Sequence, residues 1–304
     1  MNMNTLFALN RTPAIVMRAA AGFVLSSSLL VSQIKSVGVT VNGGRPLAKA
    51  AAQLERLSGI PINYEDVRYE NQAEVEDVTD KVTRPEQRAM APRPVRIMVP
   101  RGGELSISVQ LDPVTGRLTD VLSPLNALLA AHLSKGLPGV YTVESANDGA
   151  FFITPSQVRD ARGALVATKS VLVTPVTFSF ARRNGAETLQ LVLDQVLKVS
   201  GFKIGMGDVP LNGLIHTEVA IGADSEPARD VLVRLLASVV SGASVAGRAS
   251  SAISYKLLFD PGLRYYMFNA AVVPAPLAPA VMAPVPSPPP TSDSGRFFQK
   301  SGAP

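Results

Sequence analysis

Residues 45–66, RPLAKAAAQLERLSGIPINYED, decide how the rest of the chain is read. Pro46 stands where a first helical residue is expected, because the N–H it lacks would be unpaired there. Leu47, Ala50, Ala51 and Leu54 follow at the i, i+3, i+4, i+7 spacing of one buried helix face. Ser58-Gly59 then stops the helix, the glycine supplying a left-handed cap. Residues 60–64 resume as a strand. Upstream, residues 37–41 (VGVTV) read as a strand and Asn42-Gly43-Gly44 as its turn.

The same plan returns at 187–208, ETLQLVLDQVLKVSGFKIGMGD. Leu189 lies 142 residues after Leu47, and at that offset Ser200-Gly201 matches Ser58-Gly59, Ile204 matches Ile62, and Asp208-Val209 matches Asp66-Val67. A strand at 176–180 and a turn at 182–185 precede the second stripe, Leu189, Val192, Leu193 and Val196. A stripe, a stop, a strand and a terminal Asp-Val in one register argue for duplication.

Each copy continues with a second unit. Residues 105–111 (LSISVQL) alternate as a strand, and Leu118, Val121, Leu122, Leu125 and Leu129 form a helical stripe. Strands at 140–144 and 150–154 make a hairpin through Asn147-Asp148-Gly149. The second copy has a strand at 218–221 and a stripe of Ala228, Val231, Leu232, Leu235, Leu236 and Val239. Its hairpin joins 253–259 to 263–268 through Asp260-Pro261-Gly262. Leu235-Leu236-Ala237 follows Leu128-Leu129-Ala130 by 107 residues, so 142 minus 107, or 35, extra residues lie in the first copy, around 68–101.

This order predicts an α+β fold of two tandem βαββαββ modules, small sheets each covered by two helices. The expected boundaries are a first module over 34–155, a linker over 156–170 and a second module over 171–273. On the segments 45–60 and 187–202, the plan resembles the short N-terminal domain of secretins and TonB-dependent receptors, a small periplasmic module. The resemblance covers 37–154 and 171–273. It implies a periplasmic docking or signalling role. No barrel or secretin channel domain follows in this sequence, so a pore is not expected.

Residues 1–33 read as a signal peptide or N-terminal anchor. Arg11 and Arg18 precede an apolar run over 19–31, too short for a comfortable membrane span. The expectation is an exported protein of the periplasm or cell envelope, touching the membrane only through an uncleaved leader. Losing the leader lowers the net charge from +5 to about +3. No dense basic stripe with interleaved aromatics remains, so nucleic acid is not an expected partner. Residues 274–304 hold nine prolines, three of them consecutive at 288–290, and read as a proline-rich, disordered tail.

With no cysteine, the chain has neither disulfides nor thiolate chemistry. His132 and His216 are too few for an imidazole cluster and read as packed or surface residues. No Gly-x-Ser-x-Gly elbow occurs, and Gly205-Met206-Gly207 lacks the third glycine of a dinucleotide site. No catalytic residue, metal site or cofactor is expected. Tyr64, Tyr69, Tyr265 and Tyr266 read as sheet packing.

The most unusual stretch is the insertion. Glu65, Asp66, Glu70, Glu74, Glu76, Asp77 and Asp80 precede Lys81, Arg84, Arg88, Arg93, Arg96 and Arg101. It reads either as a charge-segregated docking arm or as a solvated loop. Glu70, Glu74, Glu76, Asp77, Arg88, Arg93 and Arg96 are the candidate partner-binding residues. The expected function is non-enzymatic docking to envelope proteins; the alternative is binding of a small molecule or cell-wall fragment at the junction of the modules.

Overall fold

A computed structural model describes residues 35–82, 96–146, 149–243 and 252–274. The leader, the tail from 275 onward, Arg88 and Arg93 lie outside the described residues. The first half runs β1 (Lys35–Val41), α1 (Pro46–Ser58), β2 (Ile62–Glu65), β3 (Val75–Asp77), α2 (Thr79–Val82) and β4 (Met98–Pro100). It continues through β5 (Leu105–Leu111), α3 (Leu122–Ser134), β6 (Val140–Ser145), β7 (Phe151–Arg159) and β8 (Leu165–Ala167). The second half runs β9 (Pro175–Asn184), α4 (Gly185–Ser200), β10 (Ile204–Met206), α5 (Leu211–His216) and β11 (Glu218–Pro227). It ends with α6 (Ala228–Ala243), β12 (Ile253–Asp260) and β13 (Tyr265–Val272). The fold is α+β.

The helix stops obey one local rule in both halves. Gly59 at φ 72° and Gly201 at φ 75° take the left-handed conformation that costs glycine little. The Ser58 hydroxyl accepts the Ile60 N–H at 3.1 Å, and the Ser200 hydroxyl accepts the Phe202 N–H at the same distance. Each serine thus turns the chain out of its helix and into the next strand. The starts differ. Arg45 precedes α1 in a left-handed conformation without a side-chain cap, whereas Asn184 caps α4 by accepting the Glu187 N–H at 2.8 Å. Both expected stripes are buried.

The strand pairings repeat as well. β1 pairs antiparallel with β5, as β9 does with β11. β2 lies parallel to β7 with Ile62 opposite Phe151, and β10 lies parallel to β13 with Ile204 opposite Tyr266. β6–β7 and β12–β13 are the corresponding hairpins.

The halves are nevertheless joined more closely than tandem modules with separate small sheets. β12 pairs in parallel with β2, Lys256 opposite Tyr64 and Leu257 opposite Glu65. One seven-stranded sheet results, in the order β10-β13-β12-β2-β7-β6, with β8 beside β7. Local periodicity specifies which face of a strand is buried but not which strand lies beside it. The stretch read as a linker also carries structure: β7 runs on to Arg159, and β8 pairs with its end, Leu165 opposite Arg159. Asp160 closes the turn between them, its carboxylate accepting the Arg162 and Ala164 N–H groups, each at 2.9 Å.

The joined sheet is covered on both faces. Successive residues of a strand point to opposite faces, so Tyr64 and Glu65 look in opposite directions. Tyr64 packs at a tilt against Tyr141, whose ring meets His132 of α3 edge-on. Glu65 instead meets Arg229 at the start of α6. A helix of the first half therefore covers one face of β2, and a helix of the second half covers the other.

Candidate functional site

The join is where charged side chains gather. Glu65 ends β2, Asp66 follows it, and they are 0% and 1% exposed. Burying a carboxylate is costly unless donors surround it, and both are surrounded. Asp66 Oδ2 accepts Arg45 Nε at 2.6 Å and the Phe259 N–H at 3.1 Å. Its Oδ1 accepts the hydroxyls of Tyr64 at 2.7 Å and Tyr69 at 2.8 Å. The Asp66 N–H donates to the Leu257 carbonyl at 2.8 Å. Burial together with the Asp66 charge raises the pKa of Tyr64, Tyr69 and Tyr141, keeping the phenols protonated as donors. Burial works against the Arg45 charge, but Asp66 outweighs it and the guanidinium stays protonated.

On the opposite face, Glu65 accepts Arg229 through two nitrogens, at 2.8 and 3.3 Å, and the Tyr255 hydroxyl at 2.7 Å. Arg229 also reaches Glu144 of β6 at 3.1 Å and lies over the Phe152 ring, 5.2 Å from its centre. Burial raises the Glu65 pKa even though Arg229 and Tyr255 oppose it. These contacts lock the halves together. Neither Glu65 nor Asp66 belongs to the exposed acidic run in which the sequence placed them. The signal in the sequence was their position: they lie at the end of an apolar strand, at the place where the second half has Gly207-Asp208.

Beside the join lies a groove of about 550 Å³. Arg45, Lys49 and Arg56 of the first half face it, and the second half adds Lys256 and Leu258. Among the described residues, no acidic side chain lines it. Lys49 is steadied by donating to the Asn42 carbonyl at 2.9 Å. Nearby, Glu55 turns inward to accept the Ile62 N–H at 2.9 Å, and burial raises its pKa against the pull of Lys256 and Arg56. Such a lining suits an anion.

The ends of the joined sheet are open among the described residues. At β6, the Ala146 N–H donates to the Ala150 carbonyl at 2.8 Å. In an antiparallel pair bonding alternates, so Thr142 and Glu144 bond toward β7 while the amides of Val143 and Ser145 face away. At β10, Lys203 and Gly207 bond to β13, through Tyr266 N–H to Lys203 O at 2.9 Å and Gly207 N–H to Phe268 O at 2.8 Å. The amides of Ile204 and Met206 face away.

Of the residues singled out in the insertion, the structure brings Asp77 and Arg96 together and pairs or buries the other described ones separately. Glu70 pairs with Arg68, and Glu76 lies 3.8 Å from Lys81. Asp77 holds the Thr79 N–H at 2.9 Å and lies 3.9 Å from Arg96. Glu74 points inward, its Oε1 accepting the Gly139 N–H at 3.4 Å and its Oε2 unpartnered, and burial raises its pKa. It offers a partner no outward face.

His132 is buried, and its Nε2 donates to the Pro138 carbonyl at 2.9 Å, while Nδ1 has no partner. Burial lowers its pKa, so the ring is neutral. His216 is exposed at the end of α5. Gly205-Met206-Gly207 lies on and just after β10, so it opens no helix. Comparison with protein-family models, with curated proteins and with solved structures finds no match.

Proposed function

We propose that this protein is a non-enzymatic docking protein of the bacterial envelope, exported through its N-terminal segment and binding protein partners by strand addition. The open edges of the seven-stranded sheet carry this reading. An exposed edge offers a row of backbone donors and acceptors that an extended segment can pair with. The resemblance of both halves to the short N-terminal domain of secretins and TonB-dependent receptors points the same way. Val143→Pro removes one outward N–H of β6 without touching a bond to β7. Tagged full-length protein is expected to capture a defined set of proteins from envelope extracts and to lose it on this substitution. Capture unchanged by Val143→Pro and by Met206→Pro sinks the strand-addition reading. Cell fractionation with N-terminal sequencing tests export.

A second reading rests on the basic groove. Lys49, Arg56 and Lys256, beside an Arg45 already engaged by Asp66, fit an anionic small molecule or wall fragment held between the halves. Calorimetric titration with soluble muropeptides is the check, with binding expected to disappear in Lys256→Glu.

A further inference from the structure

We propose that the chain assembles head to tail, the β10 edge of one copy adding in parallel to the β6 edge of the next. This rests on the docking reading above and names the partner as a second copy of the chain. The precedent is internal. The molecule already joins two copies of one strand plan through β12 of the second half and β2 of the first. That contact is heterologous: the surface on one half differs from the surface it meets. It therefore leaves one unused surface of each kind. β6 is the counterpart of β12, and β10 is the counterpart of β2. A heterologous contact repeats from copy to copy unless its rotation closes a ring.

Direction and register both permit the addition. β10 is parallel to β13, β13 antiparallel to β12, β12 parallel to β2, β2 parallel to β7, and β7 antiparallel to β6. β6 and β10 thus run the same way within one molecule. A second copy in the same orientation presents β10 parallel to β6, as β2 is parallel to β12. The two parallel pairings, Tyr64 with Ile153 and Met206 with Phe268, align the halves. Val143 opposes Ile153 as Leu257 opposes Phe268, so Val143 stands for Leu257 and Thr142 for Lys256. The internal contact of Lys256 with Tyr64 then becomes Thr142 of one copy opposite Met206 of the next.

The bonding groups are present, one of them after release from an internal partner. Within the chain, the Leu257 carbonyl accepts the Asp66 N–H, and the Asp66 carboxylate accepts the Phe259 N–H. Between chains the same roles fall to the Val143 carbonyl, Asp208 and the Ser145 N–H. Asp208 is exposed, its N–H held meanwhile by Asn269 Oδ1 at 2.9 Å. Gly207 stands where Glu65 stands, so the buried pair with Arg229 has no counterpart between copies. Assembly is accordingly weaker than the internal join and reverses on dilution.

The absence of cysteine from the sequence makes a clean test possible. Full-length Thr142→Cys and Met206→Cys variants, mixed under mild oxidation, are expected to give a covalent dimer that neither gives alone. The double variant is expected to give a ladder of multimers. Glu144→Cys mixed with Met206→Cys, two residues out of register, is expected to cross-link far less. No dimer in the in-register mixture, or equal yields from the in-register and shifted pairs, overturns the proposal. The docking reading is judged separately. If the mixture stays monomeric while Val143→Pro abolishes capture of another envelope protein, self-assembly falls and docking stands. If no in-register dimer forms and capture survives both Val143→Pro and Met206→Pro, both fall.

Discussion

β2 and β10 hold the same place in the two halves, yet every residue of β2 is buried while Met206, closing β10, is 41% exposed. Both follow a helix, a Ser-Gly stop and an apolar residue at Ile62 or Ile204. The difference lies in what comes next. Glu65-Asp66 meets Arg45, Arg229 and three tyrosine hydroxyls, and Gly207-Asp208 meets none of these. One plan therefore produces a central strand where charges can be paired across the join and an edge where they cannot. Local sequence makes the strand; its neighbour determines whether the strand is interior.

Asp66→Ala is the sharpest way to break this comparison. It leaves Arg45 and two phenols without their acceptor inside the fold, and a loss of about 3–5 kcal/mol is expected in urea unfolding. Asp208→Ala, at the equivalent position, is expected to stay within about 0.5 kcal/mol. Equal losses would mean that the two positions carry the same load. Arg229→Met comes next and strands Glu65, costing a further independent loss of about 3 kcal/mol. Adding Glu65→Gln should recover part of that loss, and a double-mutant cycle measures the coupling.

Gly59→Ala and Gly201→Ala each force a side chain into the left-handed region, costing about 1–2 kcal/mol. Their losses should agree closely, because here the halves are alike. The smallest effect is expected at Glu74. Its native pKa is raised, so the native state holds the proton more tightly than the unfolded chain does. The stability this gives is complete below the unfolded pKa and is lost as pH rises through the native one. Glu74→Gln keeps an acceptor for the Gly139 N–H and removes the buried charge. It should be the more stable protein at neutral pH, with the advantage vanishing in acid, as unfolding curves at several pH values would show.

The Ser-Gly stops and the helices α1, α4 and α6 were legible from sequence because each depends on residues within one or two turns. The stripe read from Leu118 to Leu129 was not, since α3 begins only at Leu122, which is exposed, and buries Leu128 in place of Leu129. Leu47 through Leu54, Ser58-Gly59 and their counterparts carry their own instructions. The hairpin signal at Asp260-Pro261-Gly262 is equally local and lies between β12 and β13. The join was not legible, since the pairing of Lys256 with Tyr64 spans 192 residues and leaves no periodic trace. Glu65 and Asp66 misled for a related reason. A carboxylate looks solvated until its donors are known, and Arg229 and Phe259 come from the far end of the chain. Glu74 misled in the same way: a short loop turns it inward toward Gly139.

The covering of each half by the other bears on how the chain reaches its native state. With α6 lying over the Glu65 face of β2, a nascent first half cannot complete its own interior before residue 229 has been made. Contacts of such long sequence separation slow folding, because loop closure precedes any gain from packing. Severed near residue 168, the two pieces should be poor folders apart and should recover native structure when mixed, reassembling as a noncovalent pair.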